Sequence, residues 1–128
     1  MTKVPDVYIS RKVEIVSQFK EVLESHMNDF MEGRIDKMYE LKEIADIMSL
    51  HPVHLSKVIK LETGNHACYY YEQRILLEAK KLLADTTLPI GMIAHKLDYD
   101  VVNFTKFFKR FMGITPSLYR KSIVVHSK

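Results

Sequence analysis

Apolar residues recur every three or four positions through most of the chain, the spacing that gives an α-helix one apolar face. Glycine and proline mark the boundaries: Gly33, Gly64 and Gly113 end three such stretches, and Pro52 and Pro89 open two others. No segment has a credible strand pattern. The sequence therefore predicts an all-α fold of about seven helices, at 10–31, 38–48, 52–63, 67–84, 89–97, 101–112 and 118–121.

The two longest predicted helices are expected to pack differently. The first has a single apolar stripe that should face a core, made of Val13, Val16, Phe19, Leu23, Met27 and Phe30. The fourth is apolar over more than one face, which predicts burial between two neighbours. Near its start, Cys68 is expected to be buried as a small apolar residue, with the tyrosines at 69–71 in the core.

The chain contains an internal repeat. With a shift of 49 residues, which places Ile44 on Ile93, the two halves align without a gap. The other matched pairs are Ala45 with Ala94, Met48 with Leu97, Leu55 with Phe104, Ser56-Lys57 with Thr105-Lys106, Val58-Ile59 with Phe107-Phe108, Lys60 with Lys109 and Gly64 with Gly113. Each copy has a short amphipathic helix, a tight turn and a second helix with apolar and basic residues on opposite sides. This is the pattern of a helix-turn-helix unit, whose second helix enters the DNA major groove.

Any two amphipathic helical hairpins would share some apolar positions by coincidence. Coincidence does not readily match Ser-Lys with Thr-Lys, lysine with lysine and glycine with glycine in one register. The polar matches therefore favour two helix-turn-helix units over two unrelated hairpins.

The net charge of +3 is weak evidence for a nucleic-acid partner, but its distribution is more informative. Residues 101–128 contain no Asp or Glu, and their cationic residues are Lys106, Lys109, Arg110, Arg120, Lys121 and Lys128. A segment of one charge sign suits a polyanion, although a solvated basic tail has the same composition.

Charges interrupt every apolar run, so no membrane association is expected. The N-terminus has no apolar signal core, and the single cysteine cannot form an internal disulfide. These features predict a cytoplasmic protein.

The sequence resembles the AraC/XylS family of bacterial regulators over about 35–121, and the first helix fits the family's leading helix. The residues that carry the resemblance are Ile44, Ala45, His54–Lys57, Glu62–Gly64, Arg74, Glu78–Lys80, Leu82, Leu83, Ile90, Ile93, Ala94, Phe104, Phe107–Arg110 and Gly113–Arg120. The last string is the family's most recognisable signature. The resemblance implies a DNA-binding transcription regulator with no enzymatic activity and no cofactor, and it implies RNA polymerase as a protein partner.

The predicted domain order has five parts. These are a leading helix at 1–34, a first helix-turn-helix at 35–66, a linker helix at 67–85, a second helix-turn-helix at 86–122 and a flexible tail at 123–128. The family usually carries a separate ligand-binding or dimerisation domain, so this chain is expected to be a stand-alone monomer or the DNA-binding part of a longer regulator.

The sequence departs from the family pattern in both turns. The family usually has glycine where this chain has Ser49 and Asp98, which predicts positive φ at both positions. Aspartate tolerates this conformation better than most residues, whereas serine does not. The second turn, at 98–103, is one residue shorter than usual. A displaced or rotated start of the second recognition helix is therefore expected.

The predicted DNA-contacting residues are those opposite the apolar face of each recognition helix. Base contacts are predicted for Val53, His54, Ser56, Lys57, Val101, Val102, Asn103, Thr105 and Lys106. Lysine suits guanine O6 and N7, asparagine suits adenine N6 and N7, and valine suits the thymine methyl group. Phosphate contacts are predicted for Lys60, Lys109 and Arg110. For His54, packing inside the protein is an equal alternative to a DNA contact.

The linker helix constrains the geometry of the DNA site. About 18 residues at a rise of ~1.5 Å give roughly 27 Å, against ~34 Å between successive major grooves on one face. We expect one monomer to bind an asymmetric site of about two turns and to bend it.

Other chemistry has weaker support in the sequence. His51 and His54 could ligate a metal, but no cysteine or acidic residue joins them at a suitable spacing, so no metal site is predicted. No catalytic arrangement is recognisable. The alternative function is a helical protein-protein interaction module without DNA binding.

Overall fold

The computed structural model describes residues 6–126, with side chains for residues 11–123. The helices in this range are α1 (Asp6–Met31), α2 (Leu41–Ile47), α3 (Pro52–Thr63), α4 (Ala67–Asp85), α5 (Ile90–Lys96), α6 (Val101–Met112) and α7 (Pro116–His126). The described part of the chain contains no strand, so the predicted all-α fold is confirmed. None of these helices is long and apolar enough to cross a bilayer.

The chain divides into two compact units, with the boundary inside α4 between Glu72 and Gln73. In the first unit, α1 packs against α2 and α3, and α2 packs against α3. In the second unit, α6 packs against both α5 and α7. In each unit, two other helices therefore pack against the recognition helix, which is α3 in the first unit and α6 in the second.

The buried face of α1 differs from the predicted stripe at its N-terminal end. Val13 is 53% exposed, whereas Ile15 is buried with Phe19 and Leu23. At about 100° per residue, Val13 lies roughly 120° from Phe19 around the helix, whereas Ile15 lies within about 40° of it. The prediction for Val13 was wrong because the core contacts a narrower sector of the helix than the apolar residues cover.

The helix α2 begins at Leu41, three residues later than predicted, because side chains bind the backbone just before it. The N–H of Tyr39 donates to His26 Nε2 at 2.9 Å, and the N–H of Glu40 donates to Glu43 Oε1 at 3.2 Å. Backbone N–H groups bound to side chains are typical of a helix N-terminus, because the first N–H groups have no acceptor within the helix.

The internal repeat is present residue for residue in the backbone. With the same 49-residue shift, the bounds of α2 and α3 fall on those of α5 and α6, and residues 48–51 and 97–100 connect them. The buried residues correspond as well: Ile44 and Ile93, Ala45 and Ala94, Met48 and Leu97, Leu55 and Phe104, Val58 and Phe107, Ile59 and Phe108. Relative to the first unit, the start of the second recognition helix is not displaced, because the two connections have the same length.

Both turns contain the predicted left-handed residue, Ser49 at φ 57° and Asp98 at φ 66°. In the first unit Leu50 N–H donates to Ala45 O at 2.9 Å, and in the second Tyr99 N–H donates to Ala94 O at 2.9 Å. These are the hydrogen bonds of the Schellman motif, which ends a helix by reversing its last turn.

The last helix is longer than predicted. Thr115 Oγ1 accepts from Leu118 N–H at 3.3 Å and caps α7, which begins at Pro116 and continues to His126. Residues 123–126 of the expected flexible tail are thus helical, and residues 127 and 128 lie outside the described range.

His26 is a buried histidine in the core of the first unit, with 4% of its surface exposed. Its Nε2 accepts from Tyr39 N–H, and its ring stacks on that of Tyr39 with 4.3 Å between centroids. Because Nε2 accepts, the ring is neutral and carries its proton on Nδ1. Burial lowers the pKa of His26 below its ordinary value of 6.5, against the opposing effect of Asp29 and Glu43.

We expect acid to destabilise the first unit through His26. The unfolded chain takes up a proton near pH 6.5 while the folded state resists it, so this contribution to stability is present above pH 6.5 and falls below it. Urea unfolding at about pH 7.5 and about pH 5.5 measures the difference. His26→Gln, which keeps an acceptor for Tyr39, should lessen the loss at acid pH. The exposed control His95→Gln should not, and equal pH dependence in the two variants would contradict the assignment.

Candidate nucleic-acid interface

The first recognition helix, α3, begins with a histidine cap followed by proline. His51 Nδ1 accepts from Val53 N–H at 3.1 Å, and Pro52 occupies the first helical position, where no N–H is needed. The buried face consists of Leu55, Val58 and Ile59. The predicted contact residues on the outward face are Val53, His54, Lys57 and Lys60, which are exposed, and Ser56, which is half-buried.

The second recognition helix, α6, begins with an acidic cap. Asp100 Oδ1 accepts from Asn103 N–H at 2.8 Å. Three phenylalanines, at 104, 107 and 108, form the buried face. The predicted contact residues on the outward face are Val101, Val102, Asn103, Lys106, Lys109 and Arg110, which are exposed, and Thr105, which is half-buried.

Aromatic rings hold α6 where aliphatic side chains hold α3. Tyr99 stacks on Phe107 with 5.3 Å between centroids, and Phe108 meets Tyr119 of α7 edge-to-face at 5.4 Å. Phe107 also packs edge-to-face against Phe111 at 5.3 Å. Tyr99 and Tyr119 lie outside α6, so their contacts with Phe107 and Phe108 fix the rotation of α6 about its axis and hence which side chains face outward.

The predicted phosphate-contacting residues lie near the C-terminal ends of the two helices, and Lys60 and Arg110 make local contacts there. Lys60 Nζ donates to Gly64 O at 2.9 Å, at the end of α3. The Arg110 guanidinium lies over the Phe111 ring, 4.8 Å from its centroid. Each contact holds a cation beside a helix C-terminus, where the helix dipole favours positive charge.

His54 faces solvent rather than the core, so the packing alternative for this residue is wrong. His51 caps the N-terminus of α3. The described residues contain no group of three or more potential metal ligands. Cys68 is also exposed, contrary to the expected burial, because it faces away from the core beside the buried Ala67.

The exposure of Leu61 in α3, and the position of His66 next to it just after the helix, were not anticipated from the sequence. Leu61 is 72% exposed, and together with Lys57, Lys60 and His66 it lines a shallow groove of about 400 Å³. Leu61 lies four positions after Lys57, on the outward side of the helix. An apolar residue there interrupts an otherwise polar and basic face, and this interruption is the sequence signal by which Leu61 could have been found.

Arg120 has a structural role that the sequence did not reveal. Its guanidinium donates to Leu83 O at 3.1 Å, Leu88 O at 2.6 Å and Thr86 O at 3.3 Å. These carbonyls lie at and just after the C-terminus of α4, where helical partners are missing. Arg120 is half-buried and is held by carbonyls of the second unit, unlike the exposed cations among residues 101–128.

A second arginine of this unit is also held internally. Arg74 Nη1 donates to Glu78 Oε1 at 2.6 Å, and both side chains are nearly buried. The bond joins two successive turns of α4, so it stiffens the helix on its covered side.

Replacing Arg120 should destabilise the second unit markedly. Arg120→Ala leaves several carbonyls without their donors and should lower the free energy of unfolding by about 3 kcal/mol. The neighbouring exposed Lys121→Ala removes the same charge and should change it by less than about 0.5 kcal/mol. Urea denaturation followed by circular dichroism compares them. Equal effects would mean that charge, and not the carbonyl bonds, accounts for the loss.

The two repeated units define a helix-turn-helix protein. In each unit, a short helix and a Schellman turn hold a second helix that buries an apolar face and exposes polar and basic residues. This is the arrangement by which proteins insert a helix into a DNA groove.

Comparison with known proteins agrees with this class. The helix-turn-helix domain family matches residues 44–122. The HTH-type transcriptional activator AarP of Providencia stuartii is 34% identical over 107 residues, covering 83% of this chain and 79% of AarP. The uncharacterized HTH-type transcriptional regulator YobQ of Bacillus subtilis is 26% identical over 118 residues, covering 89% of this chain and 49% of YobQ.

A solved structure shows the same fold at comparable identity. The C-terminal domain of AraT, a response regulator from Geobacillus stearothermophilus, has a TM-score of 0.71 and 29% identity, covering 84% of each chain. The chain belongs to the AraC-type family of helix-turn-helix transcription regulators, which are DNA-binding proteins and not enzymes.

Proposed function

We propose that the chain regulates transcription by sequence-specific binding of double-stranded DNA, with α3 and α6 each placed in a major groove. The observation that supports this most strongly is the exact repetition of the helix bounds with a 49-residue shift. Two helices held in one register by equal turns are suited to reading two DNA segments in the same manner.

The outward residues of both helices divide by chemistry. Lys57 and Lys106 occupy matched positions and can donate to guanine O6 and N7, while Asn103 matches adenine. Val53, Val101 and Val102 are 55%, 45% and 60% exposed, and they suit thymine methyl groups. His54, Ser56 and Thr105 supply further polar contacts to bases.

Lys60, Lys109 and Arg110 are proposed to contact phosphates. Their positions near the helix C-terminal ends are farther along each helix than the proposed base-reading residues. Phosphate contacts position a protein on DNA without reading its sequence.

The proposed DNA site is asymmetric and about two helical turns long, because one chain supplies two non-identical recognition helices. This requires neither a palindrome nor a dimer. We further propose that the regulator contacts RNA polymerase, acts in the bacterial cytoplasm where chromosomal DNA lies, and binds as a monomer or as the DNA-binding part of a longer regulator.

Binding to random duplex DNA should fall steeply with salt. Three phosphate contacts predict that the logarithm of the association constant falls against the logarithm of salt concentration with a slope of about −3. Fluorescence anisotropy measures this directly. Binding that is absent or indifferent to salt would instead favour a protein-protein interaction module.

Two lysines of α3 should respond differently to substitution. Lys57→Ala should cost about 1–3 kcal/mol on the preferred site and relax the base preference at one position. Lys60→Ala, on the same helix, should weaken binding to all sequences about equally and reduce the salt slope by about 1. Anisotropy titrations on the preferred duplex and its single-base variants separate the two effects. A uniform loss in Lys57→Ala would make Lys57 a phosphate contact.

A further inference from the structure

The cap of α6 makes a second hydrogen bond that a helix cap does not require. Asp100 Oδ1 accepts from Asn103 N–H at 2.8 Å, and Asp100 Oδ2 accepts from Asn103 Nδ2 at 2.6 Å. Both residues are exposed on the outward side of the helix start. The carboxylate therefore binds the side chain of Asn103 as well as its backbone.

The second bond fixes the orientation of the Asn103 amide. A carboxylate only accepts hydrogen bonds, so the amide must turn its nitrogen toward Asp100 and its oxygen away. The bond uses one of the two N–H donors of Nδ2, which leaves one donor and the acceptor Oδ1 for another group. An exposed asparagine without such a bond would rotate among several conformations, and binding would have to restrict it.

The first unit shows that the cap alone does not create this arrangement. The residues 49 positions earlier are His51 and His54. His51 Nδ1 accepts from Val53 N–H, only two residues along, and so caps α3 through a different backbone group. The carboxylate-amide bond is thus a feature of the second unit and not of the repeat.

We propose that Asp100 is a positioning residue for base recognition: it orients the Asn103 amide so that Oδ1 and the remaining N–H meet N6 and N7 of one adenine. The inference rests on the proposed function, since it requires α6 to lie in the major groove. The carboxylate also repels phosphates, so it lowers affinity for every sequence while increasing selectivity at one base pair.

The test compares variants at both positions on the selected site. Sites are first selected from a random duplex pool with the full chain, and the adenine assigned to Asn103 is the one whose preference Asn103→Ala removes. The wild type should prefer it over other bases about tenfold. Asp100→Ser keeps a helix-capping oxygen but cannot hold both the backbone and the amide. It should reduce that preference to about twofold or less, without weakening binding to random DNA.

The possible outcomes separate the inference from the proposed function. If Asp100→Ser keeps the full preference that Asn103→Ala removes, positioning is overturned and base reading stands. If Asp100→Ser weakens all sequences equally, Asp100 is only a helix cap, which also overturns the inference. If Asn103→Ala changes no preference, α6 does not read a base here and both the contact and the inference fail.

A measurement on the free protein tests the arrangement without DNA. The side-chain N–H₂ signals of Asn103 in an NMR spectrum should show one proton shifted downfield by its bond to the carboxylate. The shift should vanish in Asp100→Ser while the backbone signals of α6 remain helical. An unchanged side-chain signal would overturn the proposed orientation.

Discussion

Each unit depends on one residue held in the left-handed conformation, Ser49 in the first and Asp98 in the second. Without it, the N–H of the following residue could not reach back to Ala45 or Ala94, and α2 or α5 would continue in its original direction. The residue that accepts this bond is a fully buried alanine in each unit. Because its side chain is small, the recognition helix can pack closely against it. A left-handed residue other than glycine costs about 1–2 kcal/mol, so packing in each unit must offset this strain.

The two recognition helices share a register but differ in electrostatics at their N-termini. The cap of α3 is a histidine, and that of α6 is a carboxylate. Both satisfy a backbone N–H, so helix formation does not distinguish them. Their effect on a polyanion does differ, because a carboxylate at the start of α6 opposes phosphate while the histidine of α3 does not carry negative charge. The two units therefore share one backbone arrangement but present different charges at the start of the recognition helix.

Local sequence patterns were sufficient to predict most of each helix and most of the exposed faces of α3 and α6, because these depend on residues within a few positions. The repeat was found by matching such local patterns 49 positions apart. Other features were missed because they depend on a distant group. The start of α2 depends on His26, thirteen positions before Tyr39, and the role of Arg120 depends on carbonyls more than thirty positions away. The orientation of Asn103 depends on a rotamer, which residue spacing alone does not specify.

The bonds of Arg120 also have a consequence for the order of folding. Most contacts of the second unit join helices that are neighbours along the chain, whereas the bond to Leu83 joins residues 37 positions apart. Closing a longer loop costs more entropy, so contacts of this kind form late, after the local hairpins. Interactions absent from the folding transition state chiefly govern the unfolding rate. Arg120 is therefore expected to set how long the second unit stays folded more than how quickly it folds.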